Sequence, residues 1–438
     1  MEQQVKTNTK SIMKNDIKDF LINNMVTILF VIIGYLGFRF SGLTLPFFVN
    51  DLISRVARNG FLVLALIIPV LAGMGLNFAI VLGAMAGQMA IIMVVHWGFV
   101  SWQGIILAAL IAAPLALIFG YLTGKLLNKT KGQEMITSMI LGFFANGIYQ
   151  FIFLILVGSV IPMNNQDLIL SSGVGVRVTV DLANNLRYGL DNIIRLSFPV
   201  SLLLVSILFV GVNLYRYINN RKAPKLNYNK TKTIIALVAF SLTTLWSLSI
   251  IYSPWLFRSS NILRTNKMFN DITIPIVTFL IIGALCLFNV FITKTKMGQD
   301  FRTVGQDMHI AKISGIDANR VRVIAIVIST VLAAWGQIIY LQNLGTLSTY
   351  GSHENIGMFS IAAILIGGAS VTKATIGQAL LGTILFHTIF IVSPLAGRNL
   401  FGDAQLGEYF RAFVAYGVIG VSLGMHAWKK QIQSKSLK

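Results

Sequence analysis

Apolar residues run in long blocks along nearly the whole chain, and charged residues fall between the blocks. A helix that crosses the hydrocarbon core of a bilayer needs about 20 predominantly apolar residues. The pattern therefore predicts an all-α, polytopic transmembrane helical bundle of about 10–12 segments over residues 25–428. The twelve candidate segments are 25–40, 60–77, 78–97, 103–124, 135–158, 197–215, 233–253, 272–293, 323–341, 356–370, 374–394 and 409–428.

Two of these stretches are interrupted by residues that break helices. Pro69, Gly73 and Gly75 interrupt the segment 60–77, and Gly367 and Gly368 interrupt the segment 356–370. Irregular backbone is tolerated at membrane depth where it faces protein or a water-filled cavity. We therefore expect broken or re-entrant helices at both places.

The position of charge predicts the orientation of the chain in the cell membrane. Cytosolic loops are enriched in Lys and Arg. Counting the twelve segments as crossings puts most of the 35 basic residues on one side, together with a basic N-terminal segment (1–24) and a basic tail (429–438). Both termini are accordingly predicted to be cytosolic. The longer external stretches are then 159–196, which we expect to form a short helix or hairpin on the outer face, 254–271 and 395–408.

Composition excludes other classes of protein. Hydrophobic residues make up 55% of the chain and charged residues 11%, whereas a soluble domain is about one quarter charged. The net charge of +20 would be compatible with nucleic-acid binding. However, the basic residues lie in short blocks between apolar segments and form no basic stripe, so no nucleic-acid partner is expected. The single cysteine, Cys286, permits no disulfide within the chain.

Catalytic, metal and cofactor chemistry finds no support in the sequence. The segment Gly120–Lys125 resembles a phosphate-binding loop but is one residue too short and lacks the following hydroxyl. The histidines stand without a second ligand at helical spacing, which predicts helix-end or packing roles and no metal site. They are His96, His309, His353, His387 and His426.

Polar residues inside the apolar segments are candidates for a solute pathway, since an amide in hydrocarbon needs a partner or a wet surface. Uncharged amides and hydroxyls suit an uncharged, hydroxyl-rich solute better than an ion. The alternative for each is a hydrogen bond between helices without solute contact. The amides are Asn77, Gln88, Asn146, Gln150, Gln337 and Gln342, and the hydroxyls are Thr137, Ser138, Ser329 and Thr330. Gly83 and Gly87 form a G-x-x-x-G pair, which favours close packing of helices within the chain.

The predicted cytosolic loop 294–322 is the most specific feature. Three glycines, Gly298, Gly305 and Gly315, surround a short segment in which Met308, Ala311 and Ile313 form an apolar side. Its charged residues, Asp307, Lys312 and Asp317, are expected to remain in water. A short amphipathic helix of this kind is suited to docking in a groove of a partner.

This loop resembles the coupling loop of ABC importer permeases that serve simple sugars, nucleosides and branched-chain amino acids. The matching positions are Thr295, Gly298, Arg302, Gly305, Ala311, Gly315 and Ile316. Further likenesses are the Gly367-Gly368 pair after an apolar helix, and Gly75-Leu76-Asn77, Gln88 and the segment 132–141, which are similar to the nucleoside-type branch. Together they cover about 60–160 and 272–425. The sequence departs from the pattern at Ala86, Thr303, Gln306, Asp307 and Ile310, and the segment 193–271 is expected to be an extra hairpin.

The resemblance implies a non-catalytic permease subunit without a cofactor. Its implied partners are ABC ATPase subunits, a second permease subunit of the same or a different kind, an extracytoplasmic solute-binding protein and membrane lipid. Residues implied in coupling to the ATPase are Gly298, Arg302, Gly305, Met308, Ala311, Ile313 and Gly315. A nucleoside is the favoured solute, with simple sugars and riboflavin-like solutes as alternatives. An ion-coupled secondary transporter is less favoured, since Glu134 lies at a predicted helix end and the other acids lie in predicted loops.

Overall fold

The computed structural model describes residues 24–222, 230–252, 260–403, 405–413 and a few residues between 416 and 428. Nearly all of the basic N-terminal segment and the whole tail 429–438 lie outside the described residues, as does His426. The first helices are α1 (Met25–Ser41), α2 (Leu45–Ala65), α3 (Ile67–Leu71), α4 (Ile80–His96), α5 (Ser101–Lys129) and α6 (Glu134–Phe151), which continues as a π-helical turn to Leu156. The next elements are β1 (Thr179–Asp181), β2 (Arg195–Ser197), α7 (Phe198–Lys222), α8 (Lys230–Ile251), α9 (Ser260–Asn270) and β3 (Thr273–Pro275). The last are α10 (Ile276–Lys294), α11 (Lys296–Gln306), α12 (Met308–Ile313), α13 (Ala318–Leu344), β4 (Thr346–Ser348), α14 (Glu354–Ile366) and α15 (Ile376–Phe401).

The prediction of a polytopic helical bundle is confirmed. Eight helical stretches in the described ranges are long and apolar enough to cross a membrane. They are Leu45–Leu71, Ser101–Lys129, Glu134–Leu156, Phe198–Asn220, Thr233–Ile251, Ile276–Lys294, Ala318–Leu344 and Ile376–Phe401. The helices α1, α4 and α14 are apolar but shorter.

One predicted boundary was wrong. The segment expected to begin at residue 60 begins as a helix at Leu45, although Arg55 and Arg58 lie within it. Arg58 is stabilised there because its Nε donates a hydrogen bond of 2.9 Å to Asn343 Oδ1. Its guanidinium also lies 5.9 Å from the centre of the Tyr340 ring. A boundary drawn after the last charge therefore placed the start of this helix too late.

The chain folds as two units, of which the larger comprises 24–43, 55–190 and the described residues from 278 onward. Its core is built where α13 packs between α4 and α5. A Cβ on Gly83 would lie 2.4 Å from the carbonyl oxygen of Thr330, and a Cβ on Gly87 would lie 2.4 Å from that of Ala334. The expected role of this glycine pair in packing within the chain is thus confirmed.

Both expected helix breaks are present in this unit. Helix α3 ends at Leu71, and Gly73 and Gly75 adopt φ values of +71° and +66° before α4 begins at Ile80. Helix α14 has only 13 residues and ends before Gly368, whose φ is +87°. A left-handed backbone at these positions favours glycine and stops a helix.

The predicted external stretch 159–196 contains several short β contacts. Ile169 bridges Val176, forming a tight hairpin. Strand β1 then pairs antiparallel with β4, with Val180 opposite Leu347. The stretch therefore also pairs with β4, directly after α13, a long-range contact that a local hairpin pattern does not predict.

The smaller unit comprises 44–54 and the described residues of 191–277. Helices α7 and α8 pack along each other, α9 contacts both, and β2 pairs antiparallel with β3. Its core consists of Ile250, Phe269 and Ile272, with Val49, Ile53 and Phe198 around them. The segment 193–271 lies in this unit.

Candidate functional site

The loop 294–322 is mostly helical. Thr295 accepts a hydrogen bond from the Gly298 amide at the start of α11, and Asp307 accepts from the amides of His309 and Ile310 at the start of α12. Such N-caps satisfy amides that have no partner within a helix. Gly315, with φ +76°, follows the end of α12 and stops the helix. Arg322 belongs to α13, so the loop predicted to reach residue 322 already ends before Ala318.

Helix α12 turns only part of its apolar surface inward. Ala311 is fully buried, whereas Ile310 is 55% exposed and Ile313 is 76% exposed. Met308 is half-buried. The apolar side predicted for this helix is therefore buried at Ala311 and exposed at Ile313. Ala311 anchors the helix, and the two isoleucines, three residues apart, form an exposed apolar pair next to Lys312.

The backbone of α11 contacts the break between α3 and α4. A Cβ on Gly305 would lie 2.1 Å from the Leu71 carbonyl oxygen and 2.9 Å from the Gly73 nitrogen. A cavity of about 550 Å³ opens beside this contact, with Arg302 and Lys373 among its lining residues. Because two backbones touch here without side chains between them, a shift of α11 must displace the α3–α4 break.

An ion pair closes the same end of the bundle. The guanidinium of Arg322 contacts the Glu134 carboxylate at the start of α6. The Arg322 side chain is fully buried, and that of Glu134 is 15% exposed. A buried guanidinium requires such a partner.

A second polar region lies half-way along α4. Gln88 donates from Nε2 to the carbonyl oxygens of Ser348 and Thr349, at 3.0 and 2.6 Å. Its Oε1 lies 3.1 Å from His353 Nδ1, and His353 Nε2 lies 2.8 Å from Asn146 Oδ1. The Nδ2 of Asn146 donates in turn to the carboxylate of Glu354. We call these four side chains, Gln88, His353, Asn146 and Glu354, the polar chain.

The polar chain runs from the protein interior to a cavity. Gln88 and His353 are fully buried, Asn146 is half-buried and Glu354 is exposed. Beyond Glu354 lies a cavity of about 230 Å³ between α4, α6 and α14. Its lining residues are Phe78, Val81, Met139, Gly142, Phe143, Asn146, Glu354, Asn355, Met358 and Tyr416.

The polar chain exists because α14 begins beside the middle of α4. Strand β4 and residues 349–353 connect α13 to α14, and Gln88 contacts Ser348, Thr349 and His353 of this connection. Gly357 then passes close to the start of α4, where a Cβ would lie 2.8 Å from Val81. A half-helix of this kind exposes its first amides and first side chains to the bundle centre.

The structure brings together two of the six predicted pathway amides, Gln88 and Asn146. Asn77 lies in the α3–α4 break, where its Oδ1 accepts from the Ala79 amide at 3.1 Å. Gln150 lies one turn beyond Asn146 on α6. Gln337 and Gln342 are buried on α13, and among the described residues neither amide atom of Gln337 has a hydrogen-bond partner.

The four predicted hydroxyls lie outside the polar chain. Ser329 donates to the Ala65 carbonyl at 2.8 Å, and Thr330 donates to Ile326 in its own helix. Ser138 accepts from the Phe78 amide at 3.2 Å, so it holds the end of the α3–α4 break against α6. Thr137 occupies the preceding position of α6 and is half-buried.

The helix-end or packing role predicted for His353 is confirmed, since His353 directly precedes α14 and its ring packs on Tyr149. Its hydrogen bonds to Gln88 and Asn146 were not predicted, and the prediction that Glu354 lies in a loop is wrong. The structure instead places Glu354 in the first turn of α14. The available signal was an acid directly before an apolar segment too short to cross a membrane.

The chain matches the model of a protein family described as branched-chain amino acid transport system / permease component over residues 48–421. It is 28% identical over 172 residues to the high-affinity branched-chain amino acid transport system permease protein BraD of Pseudomonas aeruginosa, covering 39% of this chain and 50% of that protein. It is 30% identical over 135 residues to the permease protein LivH of Salmonella typhimurium, covering 31% of this chain and 42% of that protein. It is 29% identical over 113 residues to the nucleoside ABC transporter permease protein NupB of Lactococcus lactis, covering 24% and 30%. The chain thus spans half or less of the length of these relatives, and no solved structure matches it.

Proposed function

We propose that this chain, which belongs to the branched-chain amino acid transport permease family, is the membrane subunit of an ATP-driven importer. The solute we propose is a nucleoside. The observation that carries the proposal is the polar chain, which brings hydrogen-bonding groups to a cavity half-way across a bundle of spanning helices. Alternating access would require such a site near the middle of the membrane.

Energy enters through α11 and α12. Separate ATPase subunits would contact the exposed pair Ile310 and Ile313, with Met308 and Gly315 fixing the length and end of α12. Movement of these helices would be transmitted through the contact of Gly305 with Gly73. Gly298, whose Cβ would lie 2.1 Å from the Ile292 carbonyl oxygen, holds the start of α11 against α10, and Arg302 lines the adjoining cavity.

A second permease subunit would cover the cavity. Glu354 and Asn355 are exposed on the half-helix α14, and Phe143 of α6 beside them is 70% exposed. Lipid tails offer no hydrogen bonds, so a carboxylate at this depth must face water or protein. We therefore place the solute pathway between α6 and α14 of this chain and the other permease, and expect an extracytoplasmic solute-binding protein to deliver the nucleoside.

Uptake by cells that carry the intact transporter tests this proposal. We expect accumulation of radiolabelled uridine that stops when the cells are depleted of ATP and persists when a protonophore collapses the proton gradient. A deletion of this chain should abolish that accumulation. Accumulation of leucine without uridine would overturn the solute, and loss of uptake with the protonophore at constant ATP would overturn the mechanism.

A further inference from the structure

The carboxylate of Glu354 has an open side that faces the cavity. One of its oxygens accepts from Asn146 Nδ2. Within the described residues, the other oxygen takes no hydrogen bond from the protein. Because an ionised carboxylate is an acceptor only, this open oxygen can accept hydrogen bonds from a solute in the cavity.

The polar chain fixes the direction of that carboxylate. Gln88 cannot rotate freely, since its Nε2 is held by two carbonyl oxygens, so its Oε1 faces His353. The ring of His353 is held in turn by Tyr149, whose ring centre lies 4.8 Å away. Asn146 then joins the ring to Glu354. The buried half of the chain is therefore a rigid support for an exposed acceptor.

Both ring nitrogens of His353 are engaged within the polar chain. Both ring nitrogens of His353 lie next to amide oxygens, and a neutral imidazole has only one N–H. A neutral ring therefore donates to one of the two amide oxygens. Of the neighbouring titratable groups, Tyr149 packs on the ring, and the Tyr350 hydroxyl donates to the carbonyl oxygen of Val176 at 2.8 Å.

The charge and shape of the cavity select among solutes. No Lys or Arg is present among its lining residues, so an amino acid could pair its ammonium group with Glu354 but would leave its own carboxylate without a cation. An uncharged solute with adjacent hydroxyls meets no such penalty. The side chains of Phe78, Phe143 and Tyr416 offer flat surfaces for a ring attached to those hydroxyls.

We propose that Glu354 contacts the transported solute and accepts hydrogen bonds from a vicinal diol, such as the 2′ and 3′ hydroxyls of a ribonucleoside, while His353 and Asn146 position its carboxylate. This inference rests on the proposed function and extends it to an atom of the solute. Two donors to one carboxylate form charge-assisted hydrogen bonds, which are stronger than neutral ones.

Competition against radiolabelled uridine uptake tests the inference in cells with the intact transporter. Unlabelled 2′-deoxyuridine and 3′-deoxyuridine should each compete roughly tenfold or more weakly than uridine, since each lacks one hydrogen bond to a charged group. In Glu354→Gln this discrimination should fall to within about threefold, because the side chain loses its charge and half of its acceptors. The binding protein is unchanged in this comparison, so a change in the ratio is assigned to the permease.

Controls separate contact from folding. Glu408→Gln removes an acid that pairs with Arg411 outside the cavity, and should keep the wild-type ratios. Glu354→Asp keeps the charge, so it should retain the discrimination between uridine and its deoxy analogues, with a higher apparent KM for uridine. It replaces Glu354→Gln as the test variant if Glu354→Gln fails to insert into the membrane. Asn146→Ala should weaken the discrimination without abolishing it, since it removes only the group that orients the carboxylate.

Two failures are distinguishable. Wild-type cells that take up no nucleoside would overturn the proposed function together with this inference. Uridine uptake in which the deoxynucleosides compete equally well, or in which Glu354→Gln keeps the wild-type ratio, would overturn the role of Glu354 alone.

Discussion

The two polar regions of the larger unit differ in how they are held. At the loop end, α11 and α12 are fixed by N-caps and by backbone contacts at Gly298 and Gly305. The buried Arg322–Glu134 pair joins α13 to α6 at the same end. Half-way across the bundle, the polar chain depends on side-chain hydrogen bonds that end at an exposed carboxylate. Under the proposed function, the first region would transmit force and the second would exchange hydrogen-bond partners. Variants in the two regions should accordingly fail in different ways.

The largest effect is expected at the ion pair. Glu134→Leu leaves the fully buried Arg322 without its partner and should destabilise the folded protein by about 3–5 kcal/mol, reducing the yield of monodisperse protein in detergent. The double variant Glu134→Leu, Arg322→Met removes both charges and should recover most of that stability. Thermal unfolding of the purified variants measures both. If the double variant is no more stable than Glu134→Leu, the pair does not account for the stability of this end.

A smaller effect on stability but a larger one on coupling is expected at α12. Ile313→Asp places a charge on a side chain that is 76% exposed, so folding should be unchanged. We expect loss of the ATPase stimulation that a loaded binding protein produces in the purified transporter, because the exposed apolar pair is the proposed contact. Ile313→Leu conserves the apolar surface and should retain stimulation. Normal stimulation in Ile313→Asp would show that the ATPase docks elsewhere.

The loop region was the more predictable of the two because its signals are local. Gly315 ends a helix through its own backbone conformation, and Asp307 caps α12 through amides two and three residues away. The helical bundle followed from apolar length alone, and the breaks at Gly73 and Gly368 followed from the glycines themselves. These features depend on residues that are neighbours in the sequence.

The polar chain was less predictable because its members come from three helices and the turn before one of them. Gln88 and Asn146 were recognised as amides in apolar segments, but His353 lies 265 residues from Gln88. Its role depends on where α14 begins, which the sequence leaves open. The predicted start of α2 was wrong for a related reason, because Arg58 is stabilised inside the helix by Asn343, which lies 285 residues away in the sequence.

The smallest effect is expected at Ser329, which sequence analysis placed in the solute pathway and which donates to the Ala65 carbonyl. Hydrogen bonds between membrane helices contribute about 0.6 kcal/mol on average, so Ser329→Ala should lower stability only slightly. Because Ser329 is fully buried and lies outside the polar chain, the competition ratios of uridine and its deoxy analogues should stay at wild-type values. A change in those ratios would show that the solute pathway also includes α13. It would contradict the proposed separation of a force-transmitting end from a solute-binding centre.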